Sequence, residues 1–276
     1  MGVFNPDSLG RLCRRGVGRA RSEIDVDFGH RKMGFSFASN SKTDVTREHF
    51  SGRASIPDVP IFFPPREILS LYPGFISLYE QHELPIDETY YDLCKLLSRP
   101  LLKGKRATEI AAIVEPLEKI MRGSIRLESG GFYLHLPAQG TMEISLVAEG
   151  LRKVAMLAYL AANGSLTDKG ILFWDEPEAN LNPRIVRQLC QTLIDLVNKG
   201  VQVFLATHDL FLMKELSFLV EKSEKNIPAR FFGLHLADGE VIMEQGELLE
   251  DIETIVALDE VLKQDDAEQS FYLKVT

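Results

Sequence analysis

Apolar and polar positions change period several times along the chain. "SEIDVDFGHRKMGFSFAS", Ser22 to Ser39, alternates polar and apolar residues on either side of Gly29-His30-Arg31, which predicts a β-hairpin. "DVPIFFPPREIL", Asp58 to Leu69, predicts a short buried strand that stops at Pro64-Pro65 and hands over to a helix at Arg66. From about Ile86 to Met121 the spacing is helical, through "DETYYDLCKLLSRP" and "ATEIAAIVEPLEKIMRG". "GGFYLHLPAQGTMEISL" returns to strand character. "SLVAEGLRKVAMLAYLAANG" then reads as a long apolar helix closed by Asn163-Gly164.

Beyond Gly164 strands and helices alternate: strand 171–175, helix 183–199, strand 201–206, helix from about 210 to 220, and strand near 230–236. "LADGEV" predicts a hairpin turn into a further strand, and a helix is expected from Leu248 to Leu262, packed on the sheet by its apolar stripe. Two continuous apolar strands, each followed by a helix, imply a parallel sheet covered on both faces. The fold class expected is therefore α/β, a mainly parallel sheet flanked by helices, with an antiparallel hairpin region and a helical insertion.

Composition narrows this picture modestly. The chain has 276 residues, enough for a full core, and a net charge of −9, which argues against nonspecific coating of nucleic acid. Arg11, Arg14, Arg15, Arg19 and Arg21 cluster without interleaved aromatics, so a solvated basic loop is the favoured reading, and nucleic-acid contact stays open without support. The three cysteines are widely spaced and the six histidines show no paired-ligand spacing, which argues for a reducing compartment and against a dedicated zinc site. No apolar run reaches membrane-spanning length, and the start "MGVFNPDSLGRLCRR" has no signal core. The expected location is the cytoplasm.

The chemistry concentrates in "GILFWDEPEANLNP", Gly170 to Pro183, and "VQVFLATHDL", Val201 to Leu210. Asp175 and Glu176 stand where a buried strand emerges at its carboxyl end, the edge at which open α/β sheets bind ligands. Phosphoryl transfer needs a carboxylate to address Mg²⁺ and a group to orient or deprotonate water. Adjacent carboxylates divide those tasks, Asp175 toward the metal and Glu176 toward water. His208, at the next strand's end, is placed to sense the γ-phosphate edge.

These residues carry a resemblance. "LFWDEPEANLNP" resembles the Walker B strand, catalytic glutamate and D-loop of ABC-class ATPases, and "LATHD" resembles their switch-histidine motif. The nearest type is the stand-alone AAA-family, OLD- and SMC-related ATP-binding proteins, matched strongly over roughly residues 140–236 and only in outline over the N-terminal third. The resemblance implies ATP and Mg²⁺ as ligands, Asp175 as the metal aspartate, Glu176 as general base, His208 as switch histidine and Asn182 at the D-loop aspartate position. It also implies that "LVAEGLRK" is the signature helix start, with Gly150 serving a partner subunit's nucleotide, Ala148 where the family has serine, and Arg152 or Lys153 compensating in part. The layout expected is a single domain over 1–276. It comprises a β-rich part at 1–60, a helical insertion at about 66–121, a core at about 122–240, and a C-terminal helix and acidic tail at 241–276.

A phosphate loop of the form G-x-x-x-x-G-K-[ST] is missing. The best candidate, "SFASNSKT" from Ser36 to Thr43, has serine at both glycine positions, where a tight backbone wrap is obstructed. The chain reads as beginning beyond the family's first strand, loop and helix. Three functional readings stay open. One is an ATP-hydrolysing module working as a homodimer in bacterial defence or DNA transactions. The second is a truncated, non-hydrolysing remnant or interaction module that needs a partner carrying the loop. The third is a metal-dependent nuclease using Asp175, Glu176 and Glu178, which leaves Thr207-His208-Asp209 unexplained.

Overall fold

The structure, a computed structural model of the chain, describes residues 8–13, 20–27, 32–42, 45, 47–51, 60–82, 84, 86–166, 170–223, 225 and 227–275. The first hairpin forms as its alternation demands: β1 (Arg21–Asp27) runs antiparallel to β2 (Lys32–Ala38), with Ile24 opposite Phe35, and β3 (Arg47–Ser51) joins the far side of β2. The hairpin's Gly29-His30-Arg31 turn lies outside the described residues. β4 (Ile61–Phe63) ends at Pro64-Pro65 as expected, but no helix begins at Arg66. Glu67 turns its carboxylate on the Ser70 N–H and hydroxyl, at 3.1 and 2.6 Å, so the backbone takes a local turn instead of a helical one. Helix α1 starts only at Phe75 and runs to Gln81.

Helices α2 (Glu88–Leu97) and α3 (Lys105–Met121) follow. A meander of β5 (Ser124–Glu128), β6 (Gly131–Leu136) and β7 (Gly140–Glu143) then leads into α4 (Glu149–Ala162). α4 is buried on every side from Lys153 to Ala161 and ends at Asn163, followed by Gly164 at φ 78, the left-handed stop that its Asn-Gly ending predicts. The remaining elements are β8 (Ile171–Asp175), α5 (Pro183–Asn198), β9 (Gln202–Ala206), α6 (Leu210–Lys222), β10 (Phe231–Ala237), β11 (Glu240–Gly246) and α7 (Val256–Val275). β4, β8 and β9 form a parallel sheet in that order, with Phe63 opposite Trp174 and Trp174 opposite Leu205. One apolar cluster joins this sheet to α2, α3 and α4, with Phe63 set edge-on to Trp174 at 4.9 Å.

Two expectations are corrected. Among the described residues the parallel sheet is left open on one face: Phe173 and Phe204 stack at 4.7 Å on a side where they remain 37% and 43% exposed. The C-terminal helix does not start at Leu248. Asp251 takes the N–H groups of Glu247 and Leu248, and Glu244 takes those of Glu253 and Thr254, so the backbone donors are spent on carboxylates and a short 3₁₀ turn replaces the first helical turns. α7 then carries exposed Val261, Leu262 and Phe271 rather than packing on the sheet. Among the described residues no helix is long and apolar enough to cross a membrane.

Candidate functional site

Strands β8 and β9 end in register, with Asp175 opposite Ala206, and the next N–H, that of Glu176, donates to the Ala206 carbonyl at 2.9 Å. This final ladder bond sets the two following segments side by side. Glu176 then leaves the strand conformation altogether, at φ 47, a region that residues other than glycine occupy at a cost of about 1–3 kcal/mol. The turn brings its Oε1 to 3.3 Å from Nδ1 of His208. The His208 side chain is 81% exposed and that of Glu176 38%, so the pair faces outward at the carboxyl edge of the sheet.

Next to this pair along the chain lies a partly buried polar cluster. Thr207 donates its hydroxyl to Glu178 Oε1 at 2.7 Å and accepts the Asp209 N–H at 3.0 Å, while Asp209 caps α6 through the Leu212 N–H. Glu178 is buried, and its second oxygen has no protein partner. Lys153, from the second turn of α4, is fully enclosed and donates from Nζ to the Glu176 carbonyl at 3.1 Å. Burial pushes its pKa down, against the opposing pull of Glu149, Glu178, Glu176 and Asp175. Cys94 and Cys190 are pushed up to about 12 by burial, so neither offers a reactive thiolate.

The resemblance-based residues fall into two groups. Asp175 and Glu176 follow one another at the end of β8, and Glu176 meets His208 from the end of β9. Asn182 serves as N-cap of α5, its Oδ1 accepting the Ile185 N–H at 3.1 Å with Pro183 at the first helical position. Ala148 is the N-cap of α4 and has no side-chain acceptor to offer, which leaves the hydrogen bond a serine would make unmade. Gly150 is buried at the start of α4, and a Cβ there would overlap the Asn180 carbonyl in the turn between β8 and α5. The close approach of that helix start to the turn therefore requires glycine. Gly150→Ala is expected to lower stability by about 1–3 kcal/mol through overpacking, read as a shifted denaturation midpoint with unchanged slope.

Arg152 does not point toward the site. It pairs with buried Glu67 at 3.1 Å, joining α4 to the turn after β4. The "SFASNSKT" stretch is strand and turn: Ser36 sits inside β2 opposite Glu23, its hydroxyl bound by Arg21, and Ser41 turns back onto Ala38. Thr43 lies outside the described residues, as do Arg14, Arg15 and Arg19 of the basic cluster. The Thr207–Glu178 pair and the burial of Lys153 are not legible in the motif pattern. The signal for Lys153 was its position at the head of an otherwise unbroken small-and-apolar helix.

Helices and antiparallel hairpins around a parallel sheet that presents its carboxyl ends place the chain among P-loop-NTPase-like α/β proteins. The family model described as "AAA domain, putative AbiEii toxin, Type IV TA system" matches residues 20–214, and the chain belongs to this family of ABC/AAA-type ATPases. Among solved structures it is similar to an SMC head bound to the C-terminal winged-helix domain of ScpA, with 14% identity over 90% of this chain and 82% of that one and a TM-score of 0.53. It is also similar to the SMC head domain from Thermotoga maritima, at 14% identity over 84% and 76% of the two chains and a TM-score of 0.44. No curated protein sequence matches it.

Proposed function

We propose that this AAA/SMC-like ATPase domain hydrolyses ATP at the joined ends of β8 and β9, in the manner of ABC-type ATPases, with Glu176 as general base. The observation that carries the reading is the 3.3 Å pairing of Glu176 with His208 at the carboxyl edge of a parallel sheet. Glu176 accepts a proton from water as the water oxygen attacks the γ-phosphorus, and the bond to the ADP oxygen breaks. His208, largely exposed, contacts the γ-phosphate and registers its presence. Among the described residues no three metal-ligating side chains gather as a cage; Asp175 would offer Mg²⁺ a hard carboxylate oxygen at the strand end, which suits an ion usually held by one or two carboxylates, phosphate oxygens and water. Bound there, the ion would neutralise phosphate charge.

Nothing in these 276 residues matches G-x-x-x-x-G-K-[ST], and the nearest stretch is strand and turn. A partner chain carrying such a loop would complete the phosphate-gripping half of the site. The outward-facing Glu176–His208 pair needs a covering surface to exclude water, and a dimer supplies one, with the α4 start near Gly150 and the turn at Asn182 at the shared face. The buried, unpaired cysteines fit a reducing, cytoplasmic setting, and the family description, which names a toxin and a TA system, favours bacterial defence. A metal-dependent nuclease is less well supported, because among the described residues Asp175, Glu176 and Glu178 do not gather into a group that could hold a metal ion. The test is phosphate release by the natively assembled protein across protein concentration. The reading predicts Mg²⁺-dependent release whose rate per chain rises with concentration and then saturates; DNA cleavage that persists without ATP would favour the nuclease instead.

A further inference from the structure

Lys153 is the enclosed charge that the reaction above leaves without a task. Its side chain is 0% exposed, one turn inside α4, within the stretch to Ala161 that is buried all round. A lysine head removed from water is costly unless it finds a specific partner. The partner here is a main-chain oxygen rather than a carboxylate: Nζ donates to the Glu176 carbonyl at 3.1 Å, and the Ala179 N–H donates to the same oxygen at 3.2 Å. Two donors on one carbonyl fix the orientation of that peptide plane. It is the peptide that follows the left-handed Glu176, at φ 47, and this departure from the strand is what turns the carboxylate toward His208.

We propose that Lys153 is a positioning residue, whose Nζ clamps the Glu176 carbonyl and so holds the left-handed turn that presents the Glu176 carboxylate to His208 and to water. Strain at a functional backbone position persists only where surrounding contacts over-determine it, and a buried cationic donor on the strained residue's own carbonyl is such a contact. The catalytic importance of the clamp rests on the reading of Glu176 as base, whereas its geometry does not.

Lys153→Met keeps the apolar stem and removes the donor. The histidine ring resonances of carbon-13-labelled protein at one fixed pH, without nucleotide, read the consequence directly. The His208 signal is expected to shift toward its position in Glu176→Gln, while that of His235, which faces Glu244 on the β10–β11 hairpin, stays in place. In turnover, kcat is expected to fall by about tenfold or more with KM within about twofold, the split of an interaction that acts on the chemical step. An unmoved His208 resonance with unchanged kcat would overturn the proposal and leave Lys153 a packing residue. If the variant does not fold, NMR of the wild-type protein decides: a through-hydrogen-bond coupling from Lys153 Nζ to the Glu176 carbonyl carbon upholds the clamp, and its absence with the amine still protected overturns it and leaves Lys153 a packing residue. Wild-type protein that turns over no ATP, yet shows the His208 shift on Lys153→Met, would sink the hydrolytic reading and leave the positioning role standing.

Discussion

Glu176→Gln is expected to reduce ATP turnover by about 10²–10⁴-fold, the usual contribution of a positioned general base, while nucleotide affinity holds. Glutamine keeps the shape of the side chain and its reach toward His208, 3.3 Å away in the wild type, but accepts no proton from water. The variant should therefore accumulate bound ATP instead of losing it, and a dimer assembled around ATP should persist longer. Single-turnover phosphate release beside equilibrium nucleotide binding separates the two quantities. A kcat within a factor of two of wild type would show that the base lies elsewhere.

The largest expected effect on stability lies away from the strand ends. Glu67 and Arg152 form an enclosed ion pair at 3.1 Å, with side chains 4% and 18% exposed, and Glu67 also holds the Ser70 N–H and hydroxyl. Glu67→Ala strands a guanidinium in the interior and releases the turn that follows β4. Removing one partner of such a pair costs about 3–5 kcal/mol. The double substitution Glu67→Met with Arg152→Met is expected to recover much of that loss, because the unpaired charge is gone and the volume is refilled. Denaturant unfolding of the two single variants and the double variant measures the coupling. Additive losses would show that the pair contributes nothing as a pair.

The same pair illustrates what the sequence could reveal. Arg152 lies in the helix start that resembles a signature motif, and from sequence it reads as a spare phosphate ligand. Its true partner, Glu67, is 85 positions earlier in a turn that itself reads as a helix. Long-range pairing of this kind leaves no local periodicity. The strand ends were legible because "ILFWDE" and "VFLATHD" combine an apolar run with a change to acidic or histidine character, which fixes both the strand and its exit. Asn163-Gly164 was legible as a helix stop, whereas Asn182 stood out only by its resemblance to a D-loop residue and its capping of α5 went unread. The open face bearing Phe173 and Phe204 was not, since a continuous apolar strand reads alike whether or not a neighbour covers it. The late start of α7 was hidden because it depends on Asp251 and Glu244 taking backbone donors, a competition that composition alone does not decide.

A γ-phosphate held against Glu176 and His208 can be detected without relying on turnover. The most direct measurement is photo-crosslinking of the natively assembled protein with an ATP analogue bearing the photoreactive group on its γ-phosphate, in the presence of Mg²⁺, followed by peptide mapping. Label is expected on the segments following β8 and β9, around Glu176 and His208, competed away by excess ATP. Label confined to other segments, or label there that ATP does not displace, would contradict it.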